Sequence, residues 1–362
     1  MTEYENQIVA ILNKSPLIAE QDLANRLGLS GASVAEYIIS LTDRGFIEGK
    51  DDVPRENRYA VVVGGANMDI LGSPLSRLLI GDSNPGRVTC SPGGVGRNIA
   101  ENLARLGSKT CLLSAVGKDT YGQAIVEQCV QSGVDMRACL QLDDPTSIYL
   151  SVLNGDNDMH VGINDMAILN CLNVEVLQTH KAMLSRADLI ILDTNLADSA
   201  LEYLLSYFSD RPIFVDTVSC VKAKKLMHFL SAIHTLKSNL KEAEQLSGIT
   251  IADYSELPKL SDWFHGQGVH RIFLSLGVDG VFYSDGKNQA LIPAVEVPMV
   301  NANGAGDAFL AGLAHGWLQN WEIGQATKFA MAAAIVALSH LATINPNMSE
   351  ISVNRVIKES IC

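Results

Sequence analysis

A chain of 362 residues, 47% hydrophobic and 19% charged, can bury a sizeable core and has room for one large domain and one small one. Its formal charge of −13 argues against a general nucleic-acid surface and against binding to anionic membranes. The seven cysteines are odd in number and contain no CxxC pair. The eight histidines form no HExxH or comparable ligand spacing. Scattered reduced thiols in a cytoplasmic protein are therefore expected, without a dedicated zinc site.

The start, Met1-Thr2-Glu3-Tyr4-Glu5, is acidic and no apolar h-region follows, so no signal peptide is expected. Residues 1–57 read as a separate, small all-α piece. Ile8, Ile11 and Leu12 have helical spacing, as do Leu23 and Leu27, and Val34, Ile38 and Leu41. Gly28-Leu29-Ser30 reads as the turn between the second and third helices, with Ser30 as N-cap. The phrase from Leu23 to Ser30 followed by Val34 resembles a winged helix-turn-helix, whose third helix enters the DNA major groove. The charge disagrees: residues 1–58 hold ten acids and six bases, a net of −4. Phosphate contacts dominate DNA affinity, so an interaction or regulatory role ranks ahead of DNA binding through residues 1–57. The polar run from Gly49 to Asn57 reads as a linker.

From Arg58 onward, apolar runs at Tyr59–Val63, Leu189–Leu192, Ile213–Val215 and Ile272–Leu276 alternate with helical stretches. That pattern predicts a parallel sheet wrapped by helices on both faces. Residues of about 70–92 and 140–164 carry polar alternation and are expected to form a small accessory sheet over the site. The alanine-rich helix around Phe329 to Leu341 is too short to span a membrane and reads as buried.

Five segments carry chemistry. Gly64-Gly65-Ala66-Asn67-Met68-Asp69 follows the first strand, where Asp69 and Asn67 are either ordinary turn residues or a grip on vicinal hydroxyls. Ser91-Pro92-Gly93-Gly94-Val95-Gly96-Arg97-Asn98 lets backbone approach a ligand, and Asn98 offers donor and acceptor to a sugar hydroxyl; a helix then runs to Leu106 and stops at Gly107. Asn239 and Glu242 stand three apart, as a capping box or as an oxygen pair able to hold Mg²⁺ through water. Ser275-Leu276-Gly277-Val278-Asp279-Gly280 is a hairpin or a strand end that admits a nucleotide. Finally, Asn301-Ala302-Asn303-Gly304-Ala305-Gly306-Asp307 follows an expected strand through Val295, Val297 and Val300 and leads into an apolar helix. Amides of Gly304, Ala305 and Gly306 can converge on an anion at that helix start, with Asp307 placed as a base or, more plainly, as an N-cap. No Walker A motif and no protein-kinase signature is present.

The order and spacing of these segments resemble the ribokinase-like (PfkB) family of carbohydrate and nucleoside kinases over about residues 58–350. The resemblance implies a ribokinase-like three-layer α/β/α sandwich with a small β-sheet lid, using ATP and Mg²⁺ on a small nucleoside or sugar, and a homodimer. It implies that Asp307 is the base and that Gly304, Ala305 and Gly306 form the anion hole. Asn67, Asp69, Gly93, Gly94 and Asn98 would hold ribose, and Asn164 and Asp165 would take part in base recognition or lid closure. Ser275, Gly277, Gly280 and Asn303 would face ATP, and Asn239, Glu242 and Asp216 would position Mg²⁺. Many relatives carry Asp-Thr where this chain has Asn301-Ala302, which puts activation by K⁺ in question.

Longer phrases (Asp82 to Gly86, Ser91 to Asn102, Ala115 to Gly117, Ile163 to Met166, Ile233 to Lys237) resemble pseudouridine kinases within that family. Phosphorylation of the ribosyl 5′-hydroxyl of pseudouridine is the expectation this gives. The alternatives are uridine, inosine, cytidine or ribose as substrate, or a ligand-sensing transcriptional regulator that uses the N-terminal helices.

Overall fold

Tyr59–Val63 (β1) is apolar at nearly every position because it is buried on both faces of a sheet. Ala60 and Val62 enter one core cluster and Val61 and Val63 the other. The same alternation recurs in Leu189–Asp193 (β10), where Leu189 and Ile191 face one side and Ile190 and Leu192 the opposite side. Each such side chain contributes roughly 1.5–3 kcal/mol on full burial, so an uninterrupted apolar run fixes a central strand between two helical layers.

Around these two strands the large sheet adds Lys109–Leu113 (β4), Val134–Asp135 (β6), Ile213–Asp216 (β11), Thr235–Asn239 (β12), Arg271–Ser275 (β13), Val281–Ser284 (β14) and Gln289–Ile292 (β15). The strand order is β15-β14-β13-β12-β11-β10-β1-β4-β6. All neighbours from β13 to β6 are parallel, and β14 and β15 are added antiparallel at one edge.

Six of the longer helices cover its faces. One layer holds Val95–Arg105 (α3), Ala305–Leu318 (α8) and Ile323–Leu338 (α9) through Leu103, Phe309 and Phe329. The other holds Asp198–Tyr207 (α5), Leu240–Ser247 (α6) and Leu257–Gly266 (α7) through Leu204, Leu246 and Phe264. Among the described residues the remaining helices of eight residues or more are Glu20–Leu27 (α1), Gly31–Asp43 (α2), Thr120–Gln131 (α4) and Glu350–Ser360 (α10). The expected three-layer sandwich is thus present.

A second, four-stranded sheet has the order β3-β2-β8-β9, made of Gly86–Gly93 (β3), Asn67–Pro74 (β2), Ile148–Leu153 (β8) and Met159–Asp165 (β9). It occupies both segments expected for the lid. Leu140–Leu142 (β7), included in that expectation, instead pairs with Ala115–Gly117 (β5). The strand expected through Val295, Val297 and Val300 is not formed at Val295 or Val297. Ile292, the last residue of β15, already pairs with Val281, the first of β14, so no partner backbone remains beyond it.

The computed structural model describes residues 4, 5, 7, 8, 11, 20–43, 58–154, 159–295, 297 and 303–360. Val300, Asn301 and Ala302, the last two carrying the question of K⁺, lie outside them. So do Leu12, most of the expected first helix and the linker from Gly49 to Asn57. The chain divides into two units, Met1–Arg58 and Tyr59–Cys362. In the first, Leu23 and Ala24 of α1 pack with Val34 and Leu41 of α2 and with Ile8. Ser30 caps α2 as expected, its Oγ accepting from the Ser33 N–H at 3.0 Å. Among the described residues no helix is long and apolar enough to cross a membrane.

Candidate active site

Parallel strands β1, β10, β11 and β12 all end on the same side, where the polar ends of β10, β11 and β12 (Asp193, Asp216 and Asn239) are gathered. Gly304 opens α8 with φ 81°, and a Cβ there would lie 2.3 Å from the Thr343 carbonyl oxygen, so only glycine fits. Gly304 also brings no capping side chain. The amides of the first turn, from Ala305 to Asp307, thus lie at a helix N-terminus whose N-cap residue supplies no side-chain acceptor, an arrangement suited to an anion. The start of α6 is the opposite case: Asn239 Oδ1 accepts from the Glu242 N–H at 2.9 Å and Glu242 Oε2 from the Asn239 N–H at 3.0 Å. That helix caps itself.

Asp307, in the first turn of α8, accepts a 2.8 Å hydrogen bond on Oδ2 from Nδ2 of Asn98 on α3. Its carboxyl is pushed up to about 7, first by burial and then by nearby Asp216, while Lys237 and the Asn98 N–H pull the other way. Lys237 Nζ donates to Asp216 Oδ2 at 2.9 Å, with the side chains 12% and 3% exposed. A Cβ on Gly306 would lie 2.7 Å from that Nζ, so glycine leaves the ammonium room beside the helix start. Burial disfavours the Lys237 charge, but Asp216 above all, then Asp307 and Glu242, raise its pKa above the ordinary value.

Asp216 is held on its other oxygen by the Val218 N–H at 2.8 Å. Val218 sits at φ 58°, a region that costs a β-branched residue about 1–3 kcal/mol, and the turn holds it there so that its N–H meets the carboxylate.

Asp193, the last residue of β10, is fully buried and accepts from the N–H groups of Gly65 (2.8 Å), Gly96 (2.7 Å) and Asn195 (2.8 Å). It ties the loop after β1 to the start of α3. At the start of β2, Asn67 Nδ2 donates to Asp69 Oδ1 at 2.6 Å. Burial raises the Asp69 pKa against the pull of that bond and of Arg97. Gly93 lies against it, where a Cβ would come 2.1 Å from Asp69 Oδ2; Gly94 has φ 97° and its Cβ would come 2.5 Å from the Gly65 oxygen. Gly94→Ala is therefore expected to displace the Asn67–Asp69 end of β2 and to weaken, by roughly tenfold or more, the binding of any hydroxylated ligand held there, as read by calorimetric titration.

A cleft of about 910 Å³ runs from Lys237, Ala305 and Gly306 to an apolar end formed by Val295, Met331, Ile335 and Leu338. Ser275, Gly277 and Gly280 line it as expected, although the segment is also the turn of the β13–β14 hairpin. Asn303 is exposed in the turn before α8 and is not among the lining residues. Asn164 and Asp165 end β9, exposed and paired with Tyr149 and Ile148. Among the described residues no hydrogen bond joins them to the Asp307 cluster.

The oxygens offered by Asn239, Glu242 and Asp216 suit Mg²⁺ in type. Most already accept protein donors: Glu242 Oε2 also takes the Thr217 hydroxyl, and Asp216 takes Lys237 and Val218. The set fits an ion held through its own waters rather than by direct ligation. Lys237, Asp193 and Arg97 were not expected at the site from sequence. The available signal was a charged residue closing an apolar strand for Asp193 and the place beside Asn98 for Arg97, while Lys237 sits in the middle of the mostly polar β12.

The pfkB family carbohydrate kinase model matches residues 57–350. The chain is 43% identical over 310 residues to the pseudouridine kinase of Escherichia coli (strain K12), covering 85% of this chain and 99% of that one. It is 38% identical over 352 residues to the uncharacterized sugar kinase YeiI of the same organism, covering 96% and 97%. The structure of Arabidopsis thaliana ribokinase complexed with ribose and ATP shares the fold, with a TM-score of 0.74 at 22% identity over 83% of this chain and 99% of that one.

Proposed function

The chain belongs to the pfkB family of carbohydrate kinases, and on that footing we propose that it phosphorylates the ribosyl 5′-hydroxyl of pseudouridine with ATP. That it is a phosphotransferase with an alcohol acceptor, acting on a nucleoside or sugar, follows from the family and its relatives. The choice of pseudouridine rests on the 43% identity to a pseudouridine kinase over nearly all of that relative. The observation that carries the chemistry is Asp307, held by Asn98 at a helix N-terminus with no capping side chain.

In this reading Asp307 takes the hydroxyl proton as the phosphoryl group is transferred; a carboxyl near 7 is matched to that task at neutral pH. The amides of the α8 start and the Lys237 ammonium stabilise charge on the phosphoryl oxygens. Asp69, fixed by Asn67 and given room by Gly93 and Gly94, takes the ribose hydroxyls, with Asn98 beside it. Ser275, Gly277 and Gly280 border the nucleotide. Asn239, Glu242 and Asp216 would hold Mg²⁺ through its waters, where the ion neutralises polyphosphate charge. Asn164 and Asp165 reach the base when the four-stranded sheet closes and excludes water. The homodimer and the cytoplasmic setting belong to the same proposal, and sedimentation velocity reads the former.

A coupled ATPase assay across pseudouridine, uridine, inosine, cytidine and ribose tests the substrate, with pseudouridine expected highest in kcat/KM. Another compound far above it overturns the assignment. A sugar or another nucleoside is the second reading. The YeiI match favours it, since 96% coverage takes in most of the Met1–Arg58 unit. DNA binding by that unit is tested by mobility shift at low salt with and without nucleoside.

A further inference from the structure

Arg97 lies inside the protein with a side chain that the proposed chemistry does not use. It is 0% exposed, and its Nη2 pairs with Glu101, itself 0% exposed and one helical turn on. Glu101 Oε1 is fixed in turn by Arg105 Nε at 2.8 Å and Ser132 Oγ at 3.0 Å. The free face of the guanidinium turns toward the site: Nη1 donates to Asn98 Oδ1 at 3.0 Å and to the Pro92 carbonyl at 3.1 Å. Arg97 Nε has no hydrogen-bond partner among the described residues. A buried ion pair is often no more stable than apolar residues of like volume, and an orphaned donor costs more, so stability gives little reason for arginine here.

The reason lies in Asn98. A carboxamide is nearly symmetric in shape, and its orientation is decided by its partners. Arginine can only donate, and an ionised carboxylate can only accept. With Oδ1 on Arg97 and Nδ2 on Asp307 both demands are met; the flipped amide would set N–H against the guanidinium and oxygen against the carboxylate. The second Nδ2 proton stays directed to the site, where a ribose hydroxyl can take it. We propose that Arg97, anchored by Glu101, is a positioning residue that locks the Asn98 amide and through it holds the Asp307 carboxylate in line for the reacting hydroxyl. This rests on the assignment of Asp307 as the base.

The test is a kinetic cycle on the full chain. Arg97→Met combined with Glu101→Leu removes both buried charges together and so leaves neither uncompensated. This variant is expected to lower kcat by roughly 10- to 100-fold, as misplacement of a reacting group does, with KM for ATP and pseudouridine within about twofold of wild type. Asn98→Ala added to it is expected to cause no further loss of kcat, because both changes break one link, while the KM for nucleoside rises with the ribose contact that Asn98 itself makes. Arg97→Lys, which keeps a donor and a cation beside Glu101, is expected to recover most of kcat; should the apolar pair fail to fold, Arg97→Met with Glu101→Gln carries the same cycle with Asn98→Ala. Additive losses, an unchanged kcat, or a change in nucleoside KM alone (an effect through Pro92 and the lid strand) overturn the proposal. Asp307→Asn run alongside separates the two claims. Retained turnover there removes the base assignment itself, whereas a dead Asp307→Asn with additive Arg97 and Asn98 effects removes only the role of Arg97.

Discussion

Asp307→Asn is expected to lower kcat by about 10²- to 10⁴-fold, the range over which a positioned general base contributes, while ATP still binds. The substitution keeps the shape of the side chain, so the Asn98 contact and the helix start are little disturbed. The pH dependence follows from the same carboxyl. With its folded pKa near 7, Asp307 is protonated and inactive as a base at low pH, so kcat should rise through about pH 7 and level off above it. That limb should vanish in the asparagine variant. Stability moves in the opposite sense. The folded carboxyl binds a proton more tightly than the unfolded one, so between about pH 4 and 7 the folded state carries more protons and loses stability as pH rises. Above pH 7 the ionised, crowded carboxylate is a standing cost. Asp307→Asn should therefore be more stable than wild type at pH 8, by about 1–4 kcal/mol, in urea melts. Wild-type turnover, or a variant less stable at pH 8, would falsify this account of the residue.

The second large effect concerns Lys237. Lys237→Met leaves the Asp216 carboxylate buried without its cation, and breaking such a pair from one side costs about 3–5 kcal/mol. Turnover should fall as well, since among the described residues the ammonium beside Gly306 is the only cation lining the cleft proposed for the nucleotide. The double change Lys237→Met with Asp216→Asn removes both charges and should return most of the stability while activity stays low. If the double variant recovers activity with stability, Lys237 serves the fold alone. If the single variant is as stable as wild type, the ion pair contributes nothing and the burial argument fails.

Both predictions turn on residues with different histories in the sequence. Asp307 was legible because small residues followed by a carboxylate at a helix start form a local pattern, and the amides that make it useful belong to the same turn. Asn98 was legible for a similar reason, lying just past glycines that only a close backbone approach requires. Local patterns also stayed ambiguous where local structure can satisfy them. Asn239 and Glu242 bond to one another as a capping box, so their part in holding Mg²⁺ is proposed through water. The Gly277–Gly280 turn is a hairpin that also borders the cleft.

Lys237, Asp193 and Arg97 belong to the other kind. In the sequence, Asp193 is a charged residue at the end of an apolar run and Lys237 lies within the mostly polar Thr235–Asn239, both indistinguishable from residues that turn to solvent. Parallel pairing sets Asp193 opposite Asp216 and Asp216 opposite Lys237. Three charges more than 20 residues apart thereby become neighbours at one sheet end. Nothing local in the sequence beyond its place beside Asn98 marks Arg97, which the fold buries against Glu101, Asn98 and the Pro92 carbonyl. By itself the sequence determined the alternation of buried strands and helices and the glycine-led start of α8 with the carboxylate proposed as the base, because periodicity, helix capping and glycine geometry act within a few residues. Which charges surround that base, how far they push its proton affinity, and which residue turns the Asn98 amide toward it were decided only by strand order and helix packing, since burial and Coulomb interaction depend on distance in space and not along the chain.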